Sequence, residues 1–265
     1  MPANPFLRAG RAAGITLLYL FLLAPVFPVV MMSFTNDPYI MFPPQTWGIE
    51  AYFNIFHNAA FVTGAETSVV VGIVVTLLAL VLGVPVAYAM ARLPLIGRDG
   101  LLALFTSPLV VPTIVFALGA LLILVTIGLL GTYVGLVLAH LVLVVPFVVR
   151  ILLTALNTLP SDVEAAAATL GAPPLRVFTR VTLPLLRPAL LAAAALSFLV
   201  SFDEVTASLF IVGSDIITLP VALFRYTQNH TDAQIAAVSV VLILVTLLAV
   251  LAVERSVGLM RGLGR

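Results

Sequence analysis

Leu159-Pro160-Ser161-Asp162-Val163-Glu164-Ala165-Ala166-Ala167-Ala168-Thr169-Leu170-Gly171-Ala172-Pro173-Pro174 stands between two long apolar runs, Gly131–Leu156 and Pro188–Gly213. Ser161 with Glu164 three residues on forms a capping-box pattern, and Gly171 is a natural residue for a left-handed stop. The pattern predicts a helix over 162–170, about 14 Å long. Val163, Ala166, Ala167 and Leu170 place small and apolar side chains on one face. Pro173 and Pro174 then open a second helix through Leu175, Phe178 and Val181, which is expected to break at Pro184 before the next run begins near Pro188.

Outward from this stretch the chain is almost entirely apolar. Its 265 residues are 62% hydrophobic and only 9% charged, with a mean hydropathy of +1.24. A soluble domain carries about 25% charged residues, so this chain cannot furnish a water-facing surface of ordinary composition, and lipid is its solvent. Runs long enough to cross a core of about 30 Å lie near Ala12–Met32, Thr67–Ala91, Leu101–Ile127, Gly131–Leu156, Pro188–Gly213 and Ala233–Val253. They are continuously apolar rather than alternating, which selects helices over barrel strands. The expectation is an all-α integral membrane protein: one transmembrane domain over 1–265, about six spans, and an interrupting loop at 157–187. Prolines inside the runs, at Pro25, Pro28, Pro85, Pro108, Pro112 and Pro146, predict kinks.

Arginine placement orients the spans. All basic residues are arginine. Arg8, Arg11, Arg92, Arg98, Arg150, Arg176, Arg180, Arg187, Arg255, Arg261 and Arg265 fall on one side of the six runs, and Arg225 alone on the other. The positive-inside rule makes the first side cytoplasmic, with both termini inside a bacterial inner (cell) membrane. The first apolar run exceeds the 7–15 residues usual for a signal sequence and no small-x-small site follows it, so it is read as an uncleaved span. Trp47, Tyr52, Phe53 and Phe56 in the outer segment 33–66 are spaced for a short helix on the membrane surface.

A short cytoplasmic helix with an alanine-rich face has little of its own chain to bury that face against, and needs either the underside of the bundle or a partner. Glu164-Ala165-Ala166 through Gly171 to Val181-Thr182-Leu183-Pro184 resembles the EAA loop of permease subunits of type I ATP-binding-cassette importers. In that family the loop is a coupling helix docked in a groove of the ATP-hydrolysing subunit, which here implies Glu164, Ala165, Ala166, Ala167, Leu170, Gly171 and Ala172 as the coupling residues. Counted back from Gly171, the family's usual glutamate aligns with Ala165, and Glu164 lies one residue upstream.

The resemblance extends more weakly to Met32-Ser33-Phe34-Thr35-Asn36, His140 with Pro146-Phe147, Ser201-Phe202-Asp203-Glu204-Val205 and Thr218-Leu219-Pro220-Val221. Together these are most similar to the second permease of spermidine/putrescine-type importers. The resemblance implies a small cationic or amine solute and two ATP-binding-cassette ATPase subunits. It also implies a second, homologous permease and a periplasmic or extracellular solute-binding protein, with no cofactor on this chain and no nucleic-acid partner. Lysine is absent from the sequence, so a phosphate loop of the form G-x-x-x-x-G-K-[ST] cannot be present and ATP hydrolysis is expected on a partner chain.

Asp203 and Glu204 are the candidate pathway residues. They lie about 24 Å from the cytoplasmic end of their run if it is helical, at a depth where a carboxylate must face a partner or water. A second reading is local, with Ser201 and Glu204 as another capping box that restarts a broken helix, or with the acidic pair meeting Arg225.

Two other classes of membrane protein fit the sequence less well. An ion-coupled secondary transporter would show interrupted segments in corresponding positions of two halves, and no such symmetry is visible. An intramembrane hydrolase would need a catalytic constellation, but His57, His140 and His230 lack any Gly-x-Ser-x-Gly or His-Glu-x-x-His context, and cysteine is absent. No catalytic or metal site is expected. His140, lying within a span, is read as a hydrogen-bond partner in helix packing.

Overall fold

Backbone amides and carbonyls find no water in hydrocarbon, so apolar runs of this length close their hydrogen bonds within themselves as helices. The computed structural model describes residues 5–263. Among these the only strand-like pairing is an isolated antiparallel bridge between Thr35 and Trp47. Arg265, counted above with the basic residues, lies outside the described residues.

In chain order the helices are α1 (Pro5–Leu23), α2 (Val26–Ser33), α3 (Glu50–His57), α4 (Ala59–Arg92), α5 (Arg98–Thr106), α6 (Thr113–Thr126) and α7 (Tyr133–Thr158). They continue as α8 (Ser161–Thr169), α9 (Pro174–Val177), α10 (Leu183–Leu185), α11 (Arg187–Phe202), α12 (Thr206–Ile211), α13 (Leu219–Thr227) and α14 (Ala233–Leu263). A 3₁₀ turn, Ser107–Leu109, follows α5, and a π turn, Phe178–Thr182, separates α9 from α10.

By length and composition, α4, α7 and the Ala233–Ala252 part of α14 can each cross a membrane alone. Three further pairs qualify only when joined across a bend: Ala13–Leu23 with Val26–Ser33 at 47°, Arg98–Leu109 with Thr113–Thr126 at 94°, and Pro174–Leu185 with Arg187–Phe202 at 70°. The apolar run Leu101–Ile127 is therefore not one straight helix. Pro108 and Pro112 interrupt its ladder, since each lacks an amide hydrogen and disfavours helical geometry in the residue before it. Pro188–Gly213 is likewise two helices, α11 and α12, parted at Asp203–Val205.

The break expected at Pro184 comes instead at Leu186, where the 70° bend lies. Pro184 sits in the first turn of α10, where no amide is needed, and the π turn before it takes up the mismatch.

The chain packs as two compact units, one formed by residues up to Val62 with Leu223–Val245, the other by Thr63–Ala222 with the segment from Thr246. In the larger unit α7 is the central helix. Leu136, Ala139, His140, Leu143, Val144, Val148, Val149, Leu152, Leu153 and Leu156 recur at three- and four-residue spacing and are buried. α7 packs chiefly against α11, and also against α5, α6 and α12. Thr132 caps its first turn by accepting the Gly135 amide at 3.0 Å, and Pro160 ends it.

The smaller unit is organised by two acidic residues. Asp37 accepts from Thr35 Oγ1 at 2.8 Å, from the Gln45 amide at 2.8 Å, and from the amide and hydroxyl of Thr46, closing the loop that carries the Thr35–Trp47 bridge. These bonds, the Thr46 hydroxyl first and the Gln45 amide second, hold the Asp37 carboxyl below its ordinary value. Asp232 accepts from the Tyr226 hydroxyl at 2.6 Å and from the Gln234 amide at 3.0 Å. The short helix expected at Trp47, Tyr52, Phe53 and Phe56 is α3, which holds the last three and leaves Trp47 before it in the bridge to Thr35. Ala51 and Ile55 are its buried side, Phe53 and Phe56 are exposed, and Tyr52 bonds to Ser33 Oγ at 2.7 Å.

Close packing of α4 on α7 depends on Gly83, where a Cβ would lie 2.6 Å from Val148 Cγ1. Gly83→Val is expected to destabilise the purified chain by about 1–3 kcal/mol through overpacking. Gly100→Ala in α5, with open space around it, should not. Thermal unfolding in detergent followed by circular dichroism checks both, and equal melting of Gly83→Val and parent would refute this packing.

Candidate functional site

α8 folds as its sequence predicts at its end and not at its start. α8 stops at Gly171, whose φ of +82° is one that residues with a side chain rarely adopt. The Gly171 amide donates to Ala168 O at 2.9 Å and the Ala172 amide to Ala167 O at 3.2 Å, the two bonds of a Schellman stop. At the other end Pro160 is the cap residue and no side chain caps the helix. The Ser161–Glu164 capping box is therefore not formed.

Glu164 is drawn away by a stronger partner. Its Oε2 accepts from Arg92 Nε at 2.7 Å and its Oε1 from Thr182 Oγ1 at 2.7 Å. Arg92 also donates through Nη2 to Leu159 O at 3.4 Å. The ion pair is largely shielded from solvent, with side-chain exposures of 16% and 14%. A guanidinium in a shielded setting is a stronger partner for a carboxylate than a backbone amide at an exposed helix start, which is why the carboxylate turns inward. The Tyr88 and Phe178 rings meet edge-on, 4.9 Å apart, beside the same junction. One carboxylate thus joins the end of α4, the start of α8 and the end of the π turn.

This inward turn divides the coupling residues. Glu164, Ala167 and Ala172 are half-buried on the side facing their own chain, while Ala165, Ala166, Leu170 and Gly171 are exposed. The expected stripe of Val163, Ala166, Ala167 and Leu170 is split accordingly: Ala167 packs inward, and Val163 and Leu170 stand out at 45% and 89% exposure, with Leu175 nearby in sequence at 74%. Arg92 and Thr182 were not legible as members of this site, since 72 and 18 residues separate them from Glu164. Arg92 ends an apolar run as a positive-inside arginine does, and nothing in the sequence tells it from Arg98.

The second candidate, Asp203–Glu204, lies in the break between α11 and α12. Glu204 Oε1 accepts the Ala207 amide at 2.8 Å and so restarts the helix as α12. Ser201 takes no part in that cap, because its hydroxyl is bonded to His140 Nδ1 at 2.9 Å. Asp203 is exposed, and among the described residues its carboxylate has no hydrogen-bond or ion-pair partner. The break thus gives one carboxylate a structural duty and leaves the other free.

Comparison with known proteins places this geometry. The family model for the binding-protein-dependent transport system inner membrane component matches residues 79–260, which include both candidate sites. The chain belongs to this family. It is a membrane-spanning permease subunit of an ATP-binding-cassette importer, with ATP hydrolysis on a separate subunit.

Among its relatives is a provisionally assigned 2-aminoethylphosphonate transport system permease of Salmonella typhimurium, 32% identical over 94% of this chain and 95% of the relative. The spermidine/putrescine transport system permease of Haemophilus influenzae is 27% identical over 89% and 92%. The putrescine transport system permease of Escherichia coli is 27% identical over 90% and 88%. Of solved structures, a chain of a bacterial importer of the acidic polysaccharide alginate superposes with a TM-score of 0.73 at 19% identity, covering 96% of this chain and 98% of that one. A chain of the MetNI methionine transporter gives 0.62 at 21% identity, over 74% and 94%. These superpositions bear out the helical permease fold, and the family does not favour the ion-coupled alternative.

In this permease the Arg92–Glu164 pair is the junction through which α8 is fixed to α4. A double-mutant cycle of Arg92→Leu and Glu164→Leu should return a coupling of about 0.5–3 kcal/mol in the stability of the purified chain. A coupling near zero would show that the ion pair does not hold α8.

Proposed function

We propose that this permease forms half of the translocation pathway for a small amine-bearing solute, with Asp203 as the negative charge that the solute meets. The single observation that carries the reading is the exposed, unpaired carboxylate at a helix break deep in an apolar run. Non-helical backbone at such depth is stable only when it is buried in protein or lines water, and a free carboxylate among hydrocarbon is costly, about 2.5–3.5 kcal/mol at a helix centre. A water-filled path satisfies both requirements at once. Glu204 serves the backbone and leaves this role to its neighbour. The relatives support the solute class: 2-aminoethylphosphonate, spermidine and putrescine differ in charge and length but share a protonated primary amine.

The same reading assigns the exposed side of α8 and its stop, with Val163, Ala165, Ala166, Leu170 and Gly171, to a groove on an ATPase subunit. Glu164 then acts as the residue that aims α8 rather than as a contact. The assembly comprises two ATPase subunits, a second permease and an extracytoplasmic solute-binding protein, and the arginine bias places α8 and both termini in the cytoplasm. Closure of the ATPase pair would move α8, and the Arg92–Glu164–Thr182 junction would carry that movement to α4 and, through the π turn, toward α11.

Uptake of putrescine and of 2-aminoethylphosphonate by membranes containing the assembled importer tests the pathway. Asp203→Asn should raise KM about tenfold or more for whichever amine is carried, the equivalent of about 1.4 kcal/mol. Glu204→Gln retains an acceptor for the Ala207 amide and should stay close to wild type. Wild-type uptake kinetics in Asp203→Asn would remove the charge from the pathway. Docking is tested separately by Gly171→Val, which forces a β-branched residue into the left-handed region at a cost of about 1–2 kcal/mol and misaims the end of α8. Loss of co-purifying ATPase is expected; full assembly and full coupling of hydrolysis to uptake would refute the docking surface.

A further inference from the structure

Within the larger unit, one buried polar group has no part in either site. His140 lies on the core face of α7 at 1% exposure, and both its ring nitrogens are engaged: Nδ1 with Ser201 Oγ and Nε2 with Ser208 Oγ, each at 2.9 Å. Both serines are buried as well, at 3% and 0%. Ser201 is in the last turn of α11 and Ser208 in the first turns of α12, so the two bonds reach the two sides of the break at Asp203–Val205.

The reach of the ring matters. Seven residues of unbroken helix would separate Ser201 from Ser208 by about 10.5 Å along the axis. An imidazole with a bond of 2.9 Å at each nitrogen spans oxygens no more than about 8 Å apart. The ring spans the break and bonds one serine on each side of it. Glu204 fixes where α12 starts, by accepting the Ala207 amide, but that bond is local and sets no relation between the two helices. His140 is the side chain that bonds to both and ties them to α7.

We infer that His140 is a positioning residue for solute passage: by bridging Ser201 and Ser208 it holds α11 and α12 in the broken arrangement that presents Asp203. The inference rests on the reading of Asp203 as a pathway charge, but the bridge itself can be tested without it. A useful contrast is built into the same helix. Ser197, one turn before Ser201 on α11, is equally buried, yet its hydroxyl has no hydrogen-bond partner. Removing that hydroxyl changes packing without touching the bridge.

The sequence contains no cysteine, so Asp203→Cys introduces the sole thiol of this chain at the break. In the assembled importer, the rate at which a membrane-impermeant cationic thiosulfonate modifies this thiol reports how the break is presented. His140→Leu, and separately the pair Ser201→Ala with Ser208→Ala, should change that rate fivefold or more. His140→Gln, which offers an amide donor and an amide acceptor, should stay within twofold of the parent, and so should Ser197→Ala. With Asp203 intact, His140→Leu should raise KM for uptake more than it lowers kcat, and His140→Gln should restore KM.

Labelling that is unchanged in both His140→Leu and the serine pair would overturn the bridge. So would shifts in His140→Gln and Ser197→Ala as large as the shift in His140→Leu, since these would mark a general loss of packing. The serine pair keeps the test open if His140→Leu fails to assemble. Altered labelling together with wild-type uptake in Asp203→Asn would retain the bridge and discard the pathway charge, so the two readings fail separately.

Discussion

A peptide group facing hydrocarbon has no water to bond, and this constraint governs nearly everything in the molecule. It makes each apolar run helical, and it makes every departure from helix informative. The described residues show such departures at the 94° bend of 98–126, the π turn 178–182, the 70° bend at Leu186 and the break at Asp203–Val205. Prolines account for the first three directly or through a neighbouring turn. The fourth has no proline, and is held by side chains: Glu204 on the Ala207 amide, and His140 on the serines of both helices. A break built from polar side chains rather than a missing amide is one whose geometry those side chains can specify.

The loop 157–187 shows the same economy of polar groups. Glu164 sits three residues after Ser161, where a capping box needs it, yet Arg92 and Thr182 take both of its oxygens. The helix gives up a side-chain cap and gains an ion pair with a helix 72 residues away. That exchange fixes which side of α8 faces its own chain, and so which side is left for a partner. Ala165 stands where the family's glutamate is usual and is exposed, while the acidic residue one position upstream does the anchoring. The displaced glutamate is thus a structural tie within the permease.

Both candidate sites are therefore arranged by a residue behind them. Glu164 orients the exposed face of α8, and His140 orients the break that exposes Asp203. In each case the group offered to the outside, an alanine-leucine face or a single carboxylate, is plain in type and takes its direction from the bond behind it. One segment links the two: from the π turn, which meets Glu164 through Thr182, the chain passes through α10 and the bend at Leu186 into α11 and so to the break that carries Asp203.

Composition alone establishes a helical membrane protein, and arginine placement supplies an expected orientation, because hydropathy and the positive-inside bias are properties of runs and need no contacts. The Gly171 stop is also legible, since only local geometry decides it, and so is the family, because the loop motif is contiguous. Other features depend on residues far apart in the chain. No local rule pairs Glu164 with Arg92 in place of Ser161, divides Ala167 from Ala166, splits Pro188–Gly213 at Asp203, or brings His140 to both Ser201 and Ser208. Hydrogen bonds and ion pairs go to the strongest partner within reach, and what is within reach is settled by the packing of α4, α7 and α11, which only the tertiary structure decides.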